Sequence, residues 1–374
     1  MKLIHLADLH LGKRLFEFSL GDDQRYILES IDKIAEEHSV DTMVISGDVF
    51  DKRIPSAEAV TLFDDYLTRQ VRAGRRVAVI AGNHDSAERL AFGSRVMDAS
   101  GVYVAGPFDG TIRSFQLEDE WGRVVFWPIP FLHPSVVRAF FGDEENEINT
   151  WNDAVGAVFG TFAVDESVRN VALSHQFLTG SVTAGSEEVT IGGMENVDAA
   201  LYERFDYAAL GHLHRAQSVG RETIRYAGTP LGYSLSETEE KSVTVVQLGQ
   251  KGDVQIETIP LKPLRAIRRW RGTWDTWRAE SLKTDDWLGV TLTDAAEIPD
   301  AFAQIRRLCP NLLRLDYDNA QTRREGEIDA FDPVMSKTPA QRVAEFFEAA
   351  NGRPLSEFQR KLVEELLPET EEDA

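Results

Sequence analysis

Cysteine is almost absent from this chain: one residue in 374, Cys309. That excludes an internal disulfide and a cysteine-based zinc site, and it leaves Cys309 as a small apolar core residue. No apolar run approaches the roughly 18 residues that a membrane-spanning helix needs. The opening residues turn polar too soon for a signal-peptide core, so the first reading is a cytosolic protein. Excess positive charge is also missing. Against 40 Lys and Arg stand 62 Asp and Glu, a formal net charge of −22. A free-standing DNA binder wants a cationic surface, so this balance argues against one. It is relieved if acids hold metals, which reverse the local sign, or if a partner supplies basic surface. Internal repeats and low-complexity blocks are lacking too. With 43% hydrophobic residues, the class is a soluble globular protein of two or three domains.

What is present begins with alternating strands and helices. Apolar runs at Lys2–Ala7, Asp41–Ser46 and Arg76–Ala81 are separated by helical patterns at Gln24–Glu37 and Ala57–Val71. These are βαβ units, hence parallel strands, whose ligands bind beyond the carboxyl ends. After about Val102 the strands shorten: Val124–Pro128, Val168–Ser174, Tyr207–Leu210, Thr223–Ala227, Lys241–Leu248 and Val254–Pro260, with a helix at Trp151–Phe162. They are expected to form a second sheet packed on the first with helices outside, a four-layer α/β sandwich. The expected domains are 1–260, a small α/β domain at 261–335, two short helices within 336–367, and an acidic tail at 368–374. In the small domain, Thr273–Leu282 and Asp300–Leu308 read as helices and Leu312–Tyr317 as a strand. The terminal helices carry Val343, Phe346, Phe347 and Ala350, then Leu355, Phe358, Leu362 and Leu366, apolar faces that need a surface.

Five polar segments carry the chemistry: Asp8-Leu9-His10, Gly47-Asp48-Val49-Phe50-Asp51, Gly82-Asn83-His84-Asp85, Ser174-His175 and Gly211-His212-Leu213-His214. Six of the eight histidines lie in these segments or in the leading strand. Residues two apart at an extended strand end face the same side, so Asp8 and His10 can reach one metal. His212 and His214 share that spacing, and a flared strand end would send them to adjacent ions. Asp48, on a central strand, can bridge two ions about 3.5–4 Å apart, the spacing of two-metal phosphoryl chemistry. Imidazole, carboxylate and amide ligands without thiolate suit manganese, iron or zinc, and manganese is the ion expected. His84, beside Asn83, is the candidate to protonate the leaving group. Asp51 is read as orienting a histidine or standing near a metal. Asp85 is read either as the cap of the following helix or as a support for the ligands.

The ordered set of motifs is similar to the calcineurin-like metallophosphoesterase superfamily. Leu6-Ala7-Asp8-Leu9-His10-Leu11-Gly12, Gly47-Asp48-Val49-Phe50-Asp51, Ala209-Leu210-Gly211-His212-Leu213-His214 and Tyr226-Ala227-Gly228-Thr229-Pro230-Leu231 resemble its SbcD family, the nuclease subunits of bacterial SbcCD complexes. The likeness is strong over residues 1–260 and rests on position and size beyond. It implies that Asp8, His10 and His214 hold one metal and Asn83, His175 and His212 the other, with Asp48 between. It implies a DNA nuclease acting 3′ to 5′ on duplex ends and cutting hairpins and single strands in DNA repair and recombination. It also implies a homodimer, here expected around Ala57–Val71, and a coiled-coil ATPase partner on which the terminal helices dock. The setting would be the cytoplasm, at the nucleoid. Where some relatives carry a phosphate-contacting histidine, this chain has Asp51. Lys13, Arg14, Arg269 and Arg271 are the candidate DNA contacts. Two other readings are a small-substrate phosphodiesterase or phosphatase on the same core and a non-catalytic scaffold. His5 is expected in the core, His38 at a helix end and His133 in a loop. Trp270, Trp274 and Trp277 are expected in the core of the small domain.

Overall fold

The computed structural model describes residues 1–142, 147–184, 196–319, 343–344, 347–348 and 353–366. The chain divides into two compact units, Met1–Arg268 and Arg269–Ala374. The first holds two six-stranded mixed sheets. In one, Lys2–Leu6, Thr42–Ser46, Arg76–Ile80 and Val102–Val104 run parallel. In the other, Gly122–Pro128, Arg169–His175, Tyr207–Gly211 and Arg221–Tyr226 run parallel, with antiparallel edges at Phe115–Asp119 and Gln217–Val219.

Ser242–Leu248 and Val254–Pro260, expected in the second sheet, belong to the first. Ser242–Leu248 pairs antiparallel with Lys2–Leu6, and Val254–Pro260 completes a hairpin on it. The amides along the open side of Lys2–Leu6 need partners, and an antiparallel hairpin satisfies them without another crossover helix.

The sheets pack face to face. Leu3, Val44, Ala78 and Val246 from one meet Phe126, Val171, Leu173 and Ala209 from the other in a single buried cluster. On the outer face of the second sheet, Val137, Val155, Val158 and Phe159, from helices Pro134–Phe141 and Trp151–Gly160, pack against Ala172, Ala208 and Leu210. Helices Gly21–Glu37 and Ala57–Arg72 bury Ile27, Leu28 and Ile31, and Leu62, Phe63 and Tyr66, at helical spacing. The four layers therefore follow from apolar faces that each need a neighbour.

The second unit has a three-stranded sheet, Ile267–Gly272, Trp287–Leu292 and Leu312–Tyr317. Helices Trp274–Glu280 and Ala301–Leu308 cover it, with Trp277, Ile305 and Cys309 in its core and Trp270 and Trp274 packed against them. The expected segment 320–335, most of the first terminal helix and the tail 368–374 lie outside the described residues. Helix Glu357–Leu366 is described. None of the described helices is long and apolar enough to cross a membrane.

Candidate metal centre

Three parallel strands of the first sheet and two of the second end where the polar segments begin. The loops after Lys2–Leu6 and Thr42–Ser46 zip together: Asp8 N–H donates to Gly47 O and His10 N–H to Asp48 O, at 3.0 and 2.9 Å. Asp8, His10, Asp48 and His212 all have positive φ, between 42° and 102°. Left-handed backbone at non-glycine residues costs about 1–3 kcal/mol each and persists where the surroundings enforce it. Two glycines permit the close approach. Gly47 has φ 90°, and a Cβ there would lie 2.2 Å from His175 Nδ1. A Cβ on Gly211 would lie 1.9 Å from Ser46 O.

The seven candidate ligands converge in two groups. His10 Nε2 faces His214 Nε2 at 3.1 Å, with Asp8 close to both. Asn83 Oδ1 faces His175 Nε2 at 3.0 Å and His212 Nδ1 at 3.1 Å. Asp48 Oδ2 lies between the groups, 3.4 Å from His175 Nε2 and 3.8 Å from His10 Nε2. His212 and His214, two residues apart, thus face different groups.

Ring orientations follow from the outward-facing nitrogens. His175 Nδ1 donates to Ser46 O at 2.7 Å, which turns its Nε2 inward toward Asp48 and Asn83. His214 Nδ1 donates to Glu237 Oε1 at 3.1 Å, which turns its Nε2 toward His10. Imidazole nitrogens, an amide oxygen and carboxylate oxygens therefore point at one another across a buried space. Such a donor set calls for cations, and nitrogen–oxygen ligation without sulfur fits divalent transition ions.

The electrostatics reflect the crowding. Burial pushes the Asp8 carboxyl up to about 7, the Asp48 charge adding to it and His175 opposing. Burial opposes the charge on Asp48, but His175, His10 and His84 outweigh it and hold that carboxyl far below its usual range. His175 is raised to about 9 against its burial by Asp48 and Asp8. Burial drives His212 down to about 3 and His10 well below its ordinary value, which keeps both imidazoles neutral.

His84 sits at the rim. Its side chain is 17% exposed, and its Nε2 lies 4.0 Å from Asp48 Oδ2. Its Nδ1 donates to Asp51 O at 3.1 Å, which leaves Nε2 as the ring nitrogen turned toward the site. The Asp51 carboxylate stands 3.9 Å from His10 Nδ1, beyond hydrogen-bond reach, and pairs with Lys13 at 2.8 Å. Asp85 does not cap the following helix, since Ser86 accepts from Arg89 N–H there. The buried Asp85 carboxylate instead accepts Val49, Phe50 and Gly82 N–H, which fixes the loops of Asp48 and Asn83.

Arg14 is exposed and bonds Glu17 O. A cavity of about 360 Å³ opens beside Asp51, with Arg14, Arg25 and Lys52 in its wall. Arg269 and Arg271 occupy exposed positions of Ile267–Gly272 in the second unit, and Arg271 pairs with Asp318. His5 is buried on Tyr207 Oη, His38 ends its helix, and His133 accepts Ser135 N–H at a helix start.

Sequence reasoning missed Glu237. Its buried carboxylate holds His214 Nδ1 and Lys241 Nζ, the latter at 2.7 Å. Burial opposes its charge, but His214 and Lys241 bring its pKa down to about 2. Tyr233, packed 5.5 Å from His10 and bonded to Leu9 O, was missed too. Neither lies in a motif; a signal existed only in the Glu237–Lys241 spacing of four.

A fold of two facing mixed sheets with Asp, Asn and His at the strand ends defines a class of phosphoesterases. Consistent with it, the family model for calcineurin-like phosphoesterases matches residues 1–216, more than half of the chain. A second model, described as the type 5 capsule protein repressor C-terminal domain, matches residues 263–351. The SbcD subunit of the SbcCD nuclease from Staphylococcus epidermidis is 30% identical, covering 98% of each chain. Its counterpart from Staphylococcus saprophyticus is 29% identical over the same shares. A dimetal phosphatase structure from Danio rerio aligns with TM-score 0.42 and 10% identity over 72% of this chain and 99% of that one. The chain belongs to the calcineurin-like phosphoesterases, among the relatives of the SbcD nuclease subunits.

Proposed function

We propose that this chain is the nuclease subunit of an ATPase–nuclease complex and hydrolyses DNA phosphodiester bonds with two divalent ions, manganese by preference. The observation that carries the reading is the convergence of imidazole nitrogens, an amide oxygen and carboxylates from Asp8, His10, Asp48, Asn83, His175, His212 and His214. Two ions held there would neutralise the phosphate oxygens and supply a nucleophile near neutral pH. Asp8, His10 and His214 would hold one, Asn83, His175 and His212 the other, with Asp48 shared. His84, anchored through Nδ1 on Asp51 O, gives a proton from Nε2 to the leaving oxygen. Asp51 keeps Lys13 at the rim, where the ammonium and Arg14 meet a flanking phosphate. Asp85 holds the two loops in register.

The names of its relatives support a nuclease in a complex. The proposed reactions are 3′ to 5′ degradation of duplex ends and cutting of hairpins and single strands, in repair and recombination at the cytoplasmic nucleoid. Residues 1–260 would form the nuclease domain, 261–335 a cap carrying Arg269 and Arg271 toward DNA, and 336–367 the helices that dock on a coiled-coil ATPase, ahead of the acidic tail. Phe358 and Leu362, one turn apart and 77% and 44% exposed, suit that docking. Val60 and Val96, 46% and 78% exposed on early helices, and Phe92, 86% exposed in the turn before Val96, suit a homodimer.

The net charge of −22 favours small phosphodiesters as the second reading. The test is cleavage of an end-labelled hairpin duplex with manganese, with and without the ATPase, beside His84→Ala. Manganese-dependent cutting by wild type alone, strengthened by the ATPase, is expected. Turnover of a small phosphodiester without any DNA cleavage would replace the reading with the second.

A further inference from the structure

The two flanks of the metal centre differ in chemistry. Beside His10 and His214 stand Lys13 paired with Asp51, and the ring there, Tyr233, is buried. Beside His175 and His212 the flank is aromatic. Phe131 lies 6.1 Å from the His175 ring and 6.3 Å from the His212 ring. Phe177 stands edge-on to His212 at 6.5 Å. Trp151 extends the row, 5.2 Å from Phe131, and His133 meets Trp151 at 5.0 Å.

These rings are rigidly carried yet half-buried. Phe131 N–H donates to Ala81 O at 2.9 Å, which ties it to the strand end that precedes Asn83. Trp151 opens a helix fixed by a capping box of Thr150 and Asp153. Phe131, Trp151 and Phe177 each keep part of their surface open to solvent. A roof that only sheltered two imidazoles would be served by buried aliphatic side chains. Half-open aromatic rings on fixed backbone offer flat π-faces, and every nucleobase has a matching one.

We propose that Phe131, continued by Trp151, is a stacking platform for the nucleobase next to the phosphate under attack. This rests on the nuclease reading and deepens it. The phosphate sits at the strand ends, the following phosphate meets Lys13 and Arg14, and the base on the other side leaves its own stack for Phe131. The preferred substrate is therefore a nucleotide whose base is already free: a fraying end, a hairpin loop or a single strand, where unstacking costs least.

The test uses the full-length chain with manganese and end-labelled single strands in which one abasic nucleotide is stepped along the sequence. In wild type, an abasic nucleotide at one flanking position is expected to slow the adjacent cut by roughly five- to hundredfold, the worth of one stacked base. Phe131→Ala should slow cutting of the normal strand by a similar factor and lose the abasic penalty, and Phe131→Trp should restore both. Manganese binding measured by calorimetry should be the same in Phe131→Ala as in wild type. Wild-type cutting that ignores the abasic site, or defects that multiply, overturns the platform and leaves the nuclease reading intact. Weakened manganese binding in Phe131→Ala also overturns it, by making the ring a support for the histidines. A wild type that cuts no DNA, with or without the ATPase, overturns both.

Discussion

Glu237→Ala separates two roles that one carboxylate combines. The side chain accepts from His214 Nδ1 at 3.1 Å and pairs with Lys241 Nζ at 2.7 Å. Lys241 is only 9% exposed. Removing the carboxylate leaves a buried ammonium whose other contacts are Glu239 Oε1 at 3.1 Å and His214 O at 3.2 Å. Breaking a buried pair costs about 3–5 kcal/mol, and the residual Glu239 contact places the expected loss near ~3 kcal/mol. The second effect is on metal. Loss of the acceptor that orients a ligand histidine lowers metal affinity about 10- to 100-fold. Urea denaturation of the metal-free chain reads the first effect, and manganese calorimetry reads the second. A Glu237→Ala, Lys241→Met double variant removes the stranded charge. It should regain most of the stability and none of the affinity. Full manganese affinity in the double variant would refute the claim that Glu237 acts through His214. A stability loss under about 1 kcal/mol would refute the buried pair.

His84→Gln should keep both metals by calorimetry while hydrolysis falls about 10²- to 10⁴-fold; unchanged turnover would remove His84 from the chemistry. Gly211→Ala should fail to fold or lose several kcal/mol in urea, because its Cβ would meet Ser46 O at 1.9 Å, and backbone cannot step aside as a side chain can. His5, buried on Tyr207, is lowered from 6.5 to about 3 by burial first and by Arg225 second. The unfolded imidazole binds its proton first, so this contribution is intact above pH 6.5 and is lost as pH falls toward 3. At pH 5 the loss is about 2 kcal/mol, and in His5→Gln that component should vanish from urea titrations across the window. A Gln variant with the wild-type slope would rule out His5 as its source.

Local sequence determined the loops that carry the candidate ligands. A parallel βαβ chain must place its loops beyond the strand ends, so Asp8, Asp48 and Asn83 were bound to meet there. The spacing Gly211-His212-Leu213-His214 offered two imidazoles to that edge from a later strand. Those are short-range facts, carried by turn residues and periodicity. Pairing partners distant along the chain were a matter for tertiary structure. Nothing local in Ser242–Leu248 says that it joins the open side of Lys2–Leu6 rather than a sheet nearer in sequence. The helix after Asp85 suggests a cap, but the amides its carboxylate reaches belong partly to a loop 35 residues earlier. Glu237, 23 residues after His214, and Phe131, 44 before His175, gain their meaning only when strand order brings them to the same edge. A side chain's type and its near neighbours are written in sequence. What it holds, and what holds it, depends on which surfaces the core forces together.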